Sequence, residues 1–118
     1  MTQLEIEQID GVPVARLNAD LDAANVAAVQ RQLAGALGAD ALSLVVDFGA
    51  SRYVDSAGID MLLRLADRLE QRRAQLILVI PESSQLRRLF AVVGLPDAID
   101  VRPSLDSALA GQRSGKPS

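Results

Sequence analysis

The residues of this chain best suited to chemistry are four carboxylates and one hydroxyl: Asp20, Asp22, Asp47, Asp55 and Ser56. Asp55-Ser56-Ala57-Gly58 stands between an aliphatic run, Leu44 to Phe48, and an amphipathic stretch, where a buried strand and its loop give way to a helix. A serine at a helix start can cap the free N–H groups, or it can accept a phosphate there. The plain structural role is equally open: Asp55 or Ser56 as N-cap and Gly58 as a packing glycine. Ala57 and Gly58 let another surface approach the backbone closely, and Gly58 is a poor helix former. The carboxylates admit one further chemistry, magnesium held for phosphoryl transfer or hydrolysis in a receiver-like or phosphohydrolase enzyme.

Absent residue types narrow this field. The chain has no Cys and no His, and its single lysine is Lys116. A Ser-His-Asp triad, a cysteine nucleophile and a thiolate or imidazole metal site are therefore excluded. A P-loop or Schiff-base lysine is equally hard to build, and the missing body lysine argues against a receiver. The apolar neighbours of Asp47 argue against four convergent carboxylates. The expectation is a binding module without catalytic activity and without a cofactor.

The elements that must position these residues are legible from periodicity. Leu4 to Ile9 and Val12 to Leu17 form a hairpin around the Asp10-Gly11 turn, and Pro13 points to an edge or bulge position for the second strand. After the polar junction Asn18 to Asp22, Val26, Val29, Leu33 and Leu37 mark a first helix, with Gly38 as its C-terminal glycine and Asp22 as a candidate cap. Leu42 to Phe48 predicts a central strand. The next helix starts near Ser56, with Ile59, Leu62, Leu63, Ala66 and Leu69 on its inner face. Asp60 and Arg64 lie one and two turns beyond Ser56 on the outer face, with Met61 at its margin. These are candidate contacts, although Asp60 and Arg64 also suit an ordinary i, i+4 pair and Met61 suits the core edge.

Leu76 to Ile80 predicts another buried strand, Leu86 to Val93 a third helix ended by Gly94, and Ile99 to Val101 a short strand. Ser104 caps a last helix ending near Ala110. The 118 residues, 49% hydrophobic, suit one core. The expected fold is a single α/β domain over 1–110, a mixed β-sheet with an N-terminal hairpin and about four helices packed on it. Residues 111–118 lack an apolar face and are expected to form a disordered tail. The net charge of −3 is interspersed, so no basic stripe offers itself to nucleic acid or to an anionic membrane. Arg72-Arg73 and Arg87-Arg88 read as solvated pairs. No aliphatic run reaches membrane-spanning length, and the expected compartment is the cytoplasm.

Asp55-Ser56-Ala57-Gly58-Ile59, preceded by Leu44 to Phe48, resembles the DSSG-type signature of STAS domains, in particular the bacterial anti-sigma factor antagonists. Leu21-Asp22 and the stretch from Arg88-Leu89-Phe90 to Gly94-Leu95 match the family pattern in order, so the similarity extends over roughly Leu4 to Ala110. The resemblance implies a STAS-like fold, a partner that is an anti-sigma factor with serine kinase activity, and a PP2C-type phosphatase that reverses the modification. It implies Ser56 as the phosphorylated residue with the Asp22 loop beside it; together with the candidate contacts on the outer face of the helix, the expected partner surface is Asp22, Asp55, Ser56, Ala57, Gly58, Asp60, Met61 and Arg64. In such partner switching, of the kind that serves stress or sporulation signalling, the unphosphorylated form binds the anti-sigma factor and releases the sigma factor. Ala57 stands where many members have a second serine, which leaves Ser56 as the acceptor. Ala19 replaces a usual glycine before Leu21-Asp22, which touches the shape of that loop. A weak homodimer is compatible with this reading. The alternative is a STAS subunit of a membrane transport complex, which would share the fold and answer to a different partner.

Overall fold

The computed structural model describes residues 4–38 and 41–114, with side chains through Ala110. Strands β1 (Leu4–Ile9) and β2 (Val12–Leu17) pair antiparallel. Asp10 and Gly11 both take positive φ, 53° and 78°, as a two-residue type I′ turn requires. Three further strands, β3 (Ser43–Asp47), β4 (Gln75–Val79) and β5 (Asp100–Arg102), add in parallel, giving the sheet order β1-β2-β3-β4-β5.

That order dictates the layering. Each parallel crossover steps to the next strand in the same direction, and crossovers are right-handed, so all three connecting helices must cover one face. They do: α1 (Val26–Ala36), α2 (Ser56–Gln71) and α3 (Leu86–Val92) pack Leu33, Leu62 and Phe90 onto Ala15, Leu44, Val46 and Leu78. The opposite face carries Val14, Val45, Ile77 and Val79, and Ala108 and Leu109 of α4 (Leu105–Ser114) cover it. Phe48, just past β3, meets Phe90 of α3 edge-on, the ring centroids 6.0 Å apart, a favoured aromatic geometry that fixes α3 beside the end of β3.

Several local expectations need correction. Strand β2 is interior to the sheet, not at an edge or bulge. The tight turn makes Ile9 and Val12 the hydrogen-bonded pair, so Pro13, opposite Gln8, turns its nitrogen away from β1. Pairing with β3 begins only at Val14, and the missing donor costs nothing. Gly38 does not take a left-handed conformation; α1 ends as Leu37 turns extended and packs its side chain against the core. The buried stripe of α2 is Gly58, Met61, Leu62, Leu65 and Leu69, whereas Leu63 is 39% exposed. A short 3-10 turn, Leu95–Asp97, follows Gly94, whose φ of 74° ends α3 as expected. Ser104 Oγ accepts the Ser107 N–H and caps α4. That helix continues through Ser114, past the expected end at Ala110: once Ala108 and Leu109 anchor it, each added residue gains a backbone hydrogen bond. Residues 115–118 of the expected tail lie outside the described ones.

Candidate functional site

Because β2, β3 and β4 run parallel, the segments that follow them, 18–25, 48–55 and 80–85, emerge at the same end of the sheet. The first two are stitched together. Leu21 and Val54, both buried, form a parallel bridge in which Leu21 N–H donates to the Tyr53 carbonyl and Asp55 N–H donates to the Leu21 carbonyl, each at 3.0 Å. Asp20 Oδ1 accepts the backbone N–H groups of Arg52 and Tyr53 at 2.8 and 3.1 Å. The buried Ser51 hydroxyl donates to the Ala19 carbonyl at 2.7 Å. Gln85 Nε2 donates to the Arg52 carbonyl at 2.6 Å and brings the third segment in. Loop polar groups that strands leave unpaired thus find partners in one another, which holds the corner in a single shape.

Asp55 joins this network to the helix. One carboxylate oxygen accepts from Ala57 N and Gly58 N at 2.9 and 3.1 Å, the other from Ala23 N at 3.1 Å. Asp55 is therefore the N-cap of α2 and also a latch to the loop before α1. Asp22 works similarly one segment earlier: its Oδ1 accepts from Ala24 N and Asn25 N, while Asn25 Oδ1 accepts from Asp22 N at 2.9 Å. This reciprocal pair has the form of a capping box for the turn entering α1. Gly58 is the point of closest approach, since a Cβ there would stand 2.7 Å from Val54 Cγ1 and 2.8 Å from Leu21 Cγ.

Ser56 is left with no capping duty. It is the first residue of α2, exposed, and its hydroxyl makes no hydrogen bond among the described residues. Asp22, Asp55, Ser56 and Ala57 come together at this corner, and Asp60 and Arg64 extend it along the outer face of α2 as an exposed ion pair at 2.9 Å. Two residues expected on the surface do not lie there. Met61 is only 4% exposed and belongs to the main core, because the α2 stripe is centred on Gly58. Gly58 is itself buried and offers its missing side chain inward. Sequence reasoning missed Asp20 as a loop staple, as well as Ser51, Tyr53 and Gln85. The signal for Asp20 was present in the Asp-x-Asp spacing of Asp20 and Asp22, since aspartates commonly hydrogen-bond loop backbone.

The carboxylate chemistry considered from sequence does not assemble. Asp47 Oδ1 accepts Gly49 N and its other oxygen lies 3.9 Å from Arg16, while Asp20, Asp22 and Asp55 are engaged with backbone N–H groups. Among the described residues no three carboxylates gather in a geometry that holds a metal ion. No described helix is long and apolar enough to cross a membrane.

The STAS domain model matches residues 3–108, which include every part of this corner. The chain belongs to the STAS domain family. Over 115 residues this STAS domain is 27% identical to BtrV of Bordetella bronchiseptica, assigned as an anti-sigma factor antagonist, with 98% of each chain covered. Its fold is similar to that of an anti-sigma factor antagonist from Mycobacterium paratuberculosis, with a TM-score of 0.78, 23% identity and 93% and 92% of the two chains covered. It is also similar to the phosphorylated form of the Bacillus cell fate determinant SpoIIAA, with a TM-score of 0.67, 21% identity and 91% and 96% covered.

Proposed function

We propose that this STAS domain is an anti-sigma factor antagonist of the cytoplasm whose unphosphorylated form binds a serine-kinase anti-sigma factor and releases the sigma factor. Phosphorylation of Ser56 ends that binding, and a PP2C-type phosphatase restores it. The observation that carries the reading is the division of labour at the start of α2: Asp55 caps the helix while Ser56, next to it, stands exposed with an unengaged hydroxyl.

A phosphate adds about −1.5 to −2 charges at a helix N-terminus, where the dipole favours anions, so the domain tolerates it. A closely fitted partner does not, since a hundredfold loss of affinity needs only ~2.7 kcal/mol. The named roles of BtrV and the Mycobacterium protein, and the existence of SpoIIAA in a phosphorylated form, support the same reading. A STAS subunit of a transport complex would share the fold; the exposed, unengaged hydroxyl of Ser56 favours the switch. The chain itself is the substrate of the kinase and performs no turnover.

The test is incubation with the candidate anti-sigma kinase and ATP, followed by peptide mapping. Phosphate on Ser56 with loss of the complex is expected. Stoichiometric phosphate on Ser51 or Ser84 with Ser56 untouched sinks the proposal, as does ATP hydrolysis by the repurified domain that disappears on mutating Asp22 or Asp55.

A further inference from the structure

We propose that Tyr53 is the anchor and a specificity-determining residue of the partner surface, its ring entering an aliphatic slot on the anti-sigma factor; this rests on the function proposed above. The chain has three aromatic residues, Phe48, Tyr53 and Phe90. The two phenylalanines pack against each other in the core, whereas Tyr53 is 53% exposed and belongs to neither core cluster. It lies three residues before Ser56, within the loop network already described. Its neighbour Val54 turns inward onto Leu21, so alternation along this extended segment turns Tyr53 outward.

The backbone beneath the ring is held on both sides. Tyr53 N–H donates to Asp20 and its carbonyl accepts from Leu21, while the carbonyl of Arg52 accepts from Gln85. None of these bonds involves the tyrosine side chain, so the fold does not depend on an aromatic here. A large amphipathic side chain on a rigid exposed loop loses little freedom on binding, and tyrosine is among the residues that dominate binding energy when buried at the centre of an interface. The occupant is the anti-sigma factor of the function proposed above, because Tyr53 shares its loop network with Asp20 and Leu21 and with the helix start at Ser56 that this partner has to reach. The apolar ring body requires an aliphatic slot, and the phenol hydroxyl requires one polar group at its end.

The experiment measures binding and phosphorylation of the full chain by the anti-sigma factor kinase of the source organism that modifies wild-type protein with ATP. Tyr53→Ala is expected to raise Kd by about thirtyfold or more and to raise KM in parallel, with kcat within about twofold. Tyr53→Phe keeps the ring and is expected to stay within about fivefold of wild type. Both variants are expected to melt like wild type. Tyr53→Ala binding within about threefold of wild type, while Ser56→Asp weakens the complex, overturns the anchor and leaves the function standing. Weaker binding accompanied by a sharply lowered Tm assigns Tyr53 to the fold and also overturns it. If no such kinase binds the wild-type chain, the proposed function falls and the anchor falls with it.

Discussion

Asp55 caps α2 and the adjacent Ser56 does not, and substitutions separate the cap from the proposed phosphate acceptor. Ser56→Ala removes a hydroxyl that nothing in the domain uses, so it is expected to bind the anti-sigma factor like unmodified protein, to keep the Tm of wild type and to resist inactivation by kinase. Ser56→Asp adds less charge and bulk than phosphate and is expected to weaken the complex only partly. Calorimetric affinity and melting temperature, measured together on both, check this; tight binding by Ser56→Asp with a collapsed Tm for Ser56→Ala would make Ser56 structural. Asp55→Ala removes the cap and the latch to Ala23 at once, and is expected to cost about 1 to 2 kcal/mol in urea unfolding. Asp55→Asn keeps one acceptor oxygen and is expected to lose less. The sequence allowed either Asp55 or Ser56 as the cap, because both types are preferred there; only the positions of Ala57 N, Gly58 N and Ala23 N decide between them.

At the scale of elements, the position of α2 depends on one missing side chain. Gly58→Ala would push Cβ into the side chains of Val54 and Leu21, which are both fully buried and so have little room to give way. The expected cost is about 1 to 3 kcal/mol, with faster amide exchange at Leu21 and Asp55, whose N–H groups tie the two loops together. Unchanged stability and exchange would show that the helix can shift without loss. The periodicity of α2 was legible in the sequence but its rotation was not. Ile59 and Ala66 pack at the edge of the core as expected, but Leu63 is as apolar as the residues that do face inward, so the pattern fits two neighbouring faces. What selects one is the tertiary contact at Gly58, which brings Met61 and Leu65 inward and turns Leu63 out. Pro13 misled for a comparable reason: a missing donor excludes a hydrogen bond, not a place in the sheet, and strand register settles which bond that is.

For the molecule as a whole, a mixed sheet with helices packed on it was legible in the alternation of strands and helices, but the strand order was not, since Pro13 had pointed β2 to an edge or bulge and it lies inside the sheet. On the proposed function the two faces are unequal. The corner that carries Ser56 belongs to the layer of α1, α2 and α3, while Leu109 of α4 closes the opposite face over Val45, Ile77 and Val79. Leu109→Ala is therefore expected to lower unfolding free energy by about 2 to 4 kcal/mol while leaving the partner Kd within about twofold below the melting transition. A parallel loss of affinity at a temperature where the variant is folded would mean that the layers are coupled. The same geometry has an optical consequence. With one tyrosine and no tryptophan in 118 residues, emission excited beyond the phenylalanine absorption originates at a single ring, half in water and three residues from Ser56. Acrylamide quenching of that emission therefore reports the state of this corner alone, and an unlabelled domain carries its own probe for the proposed modification of Ser56.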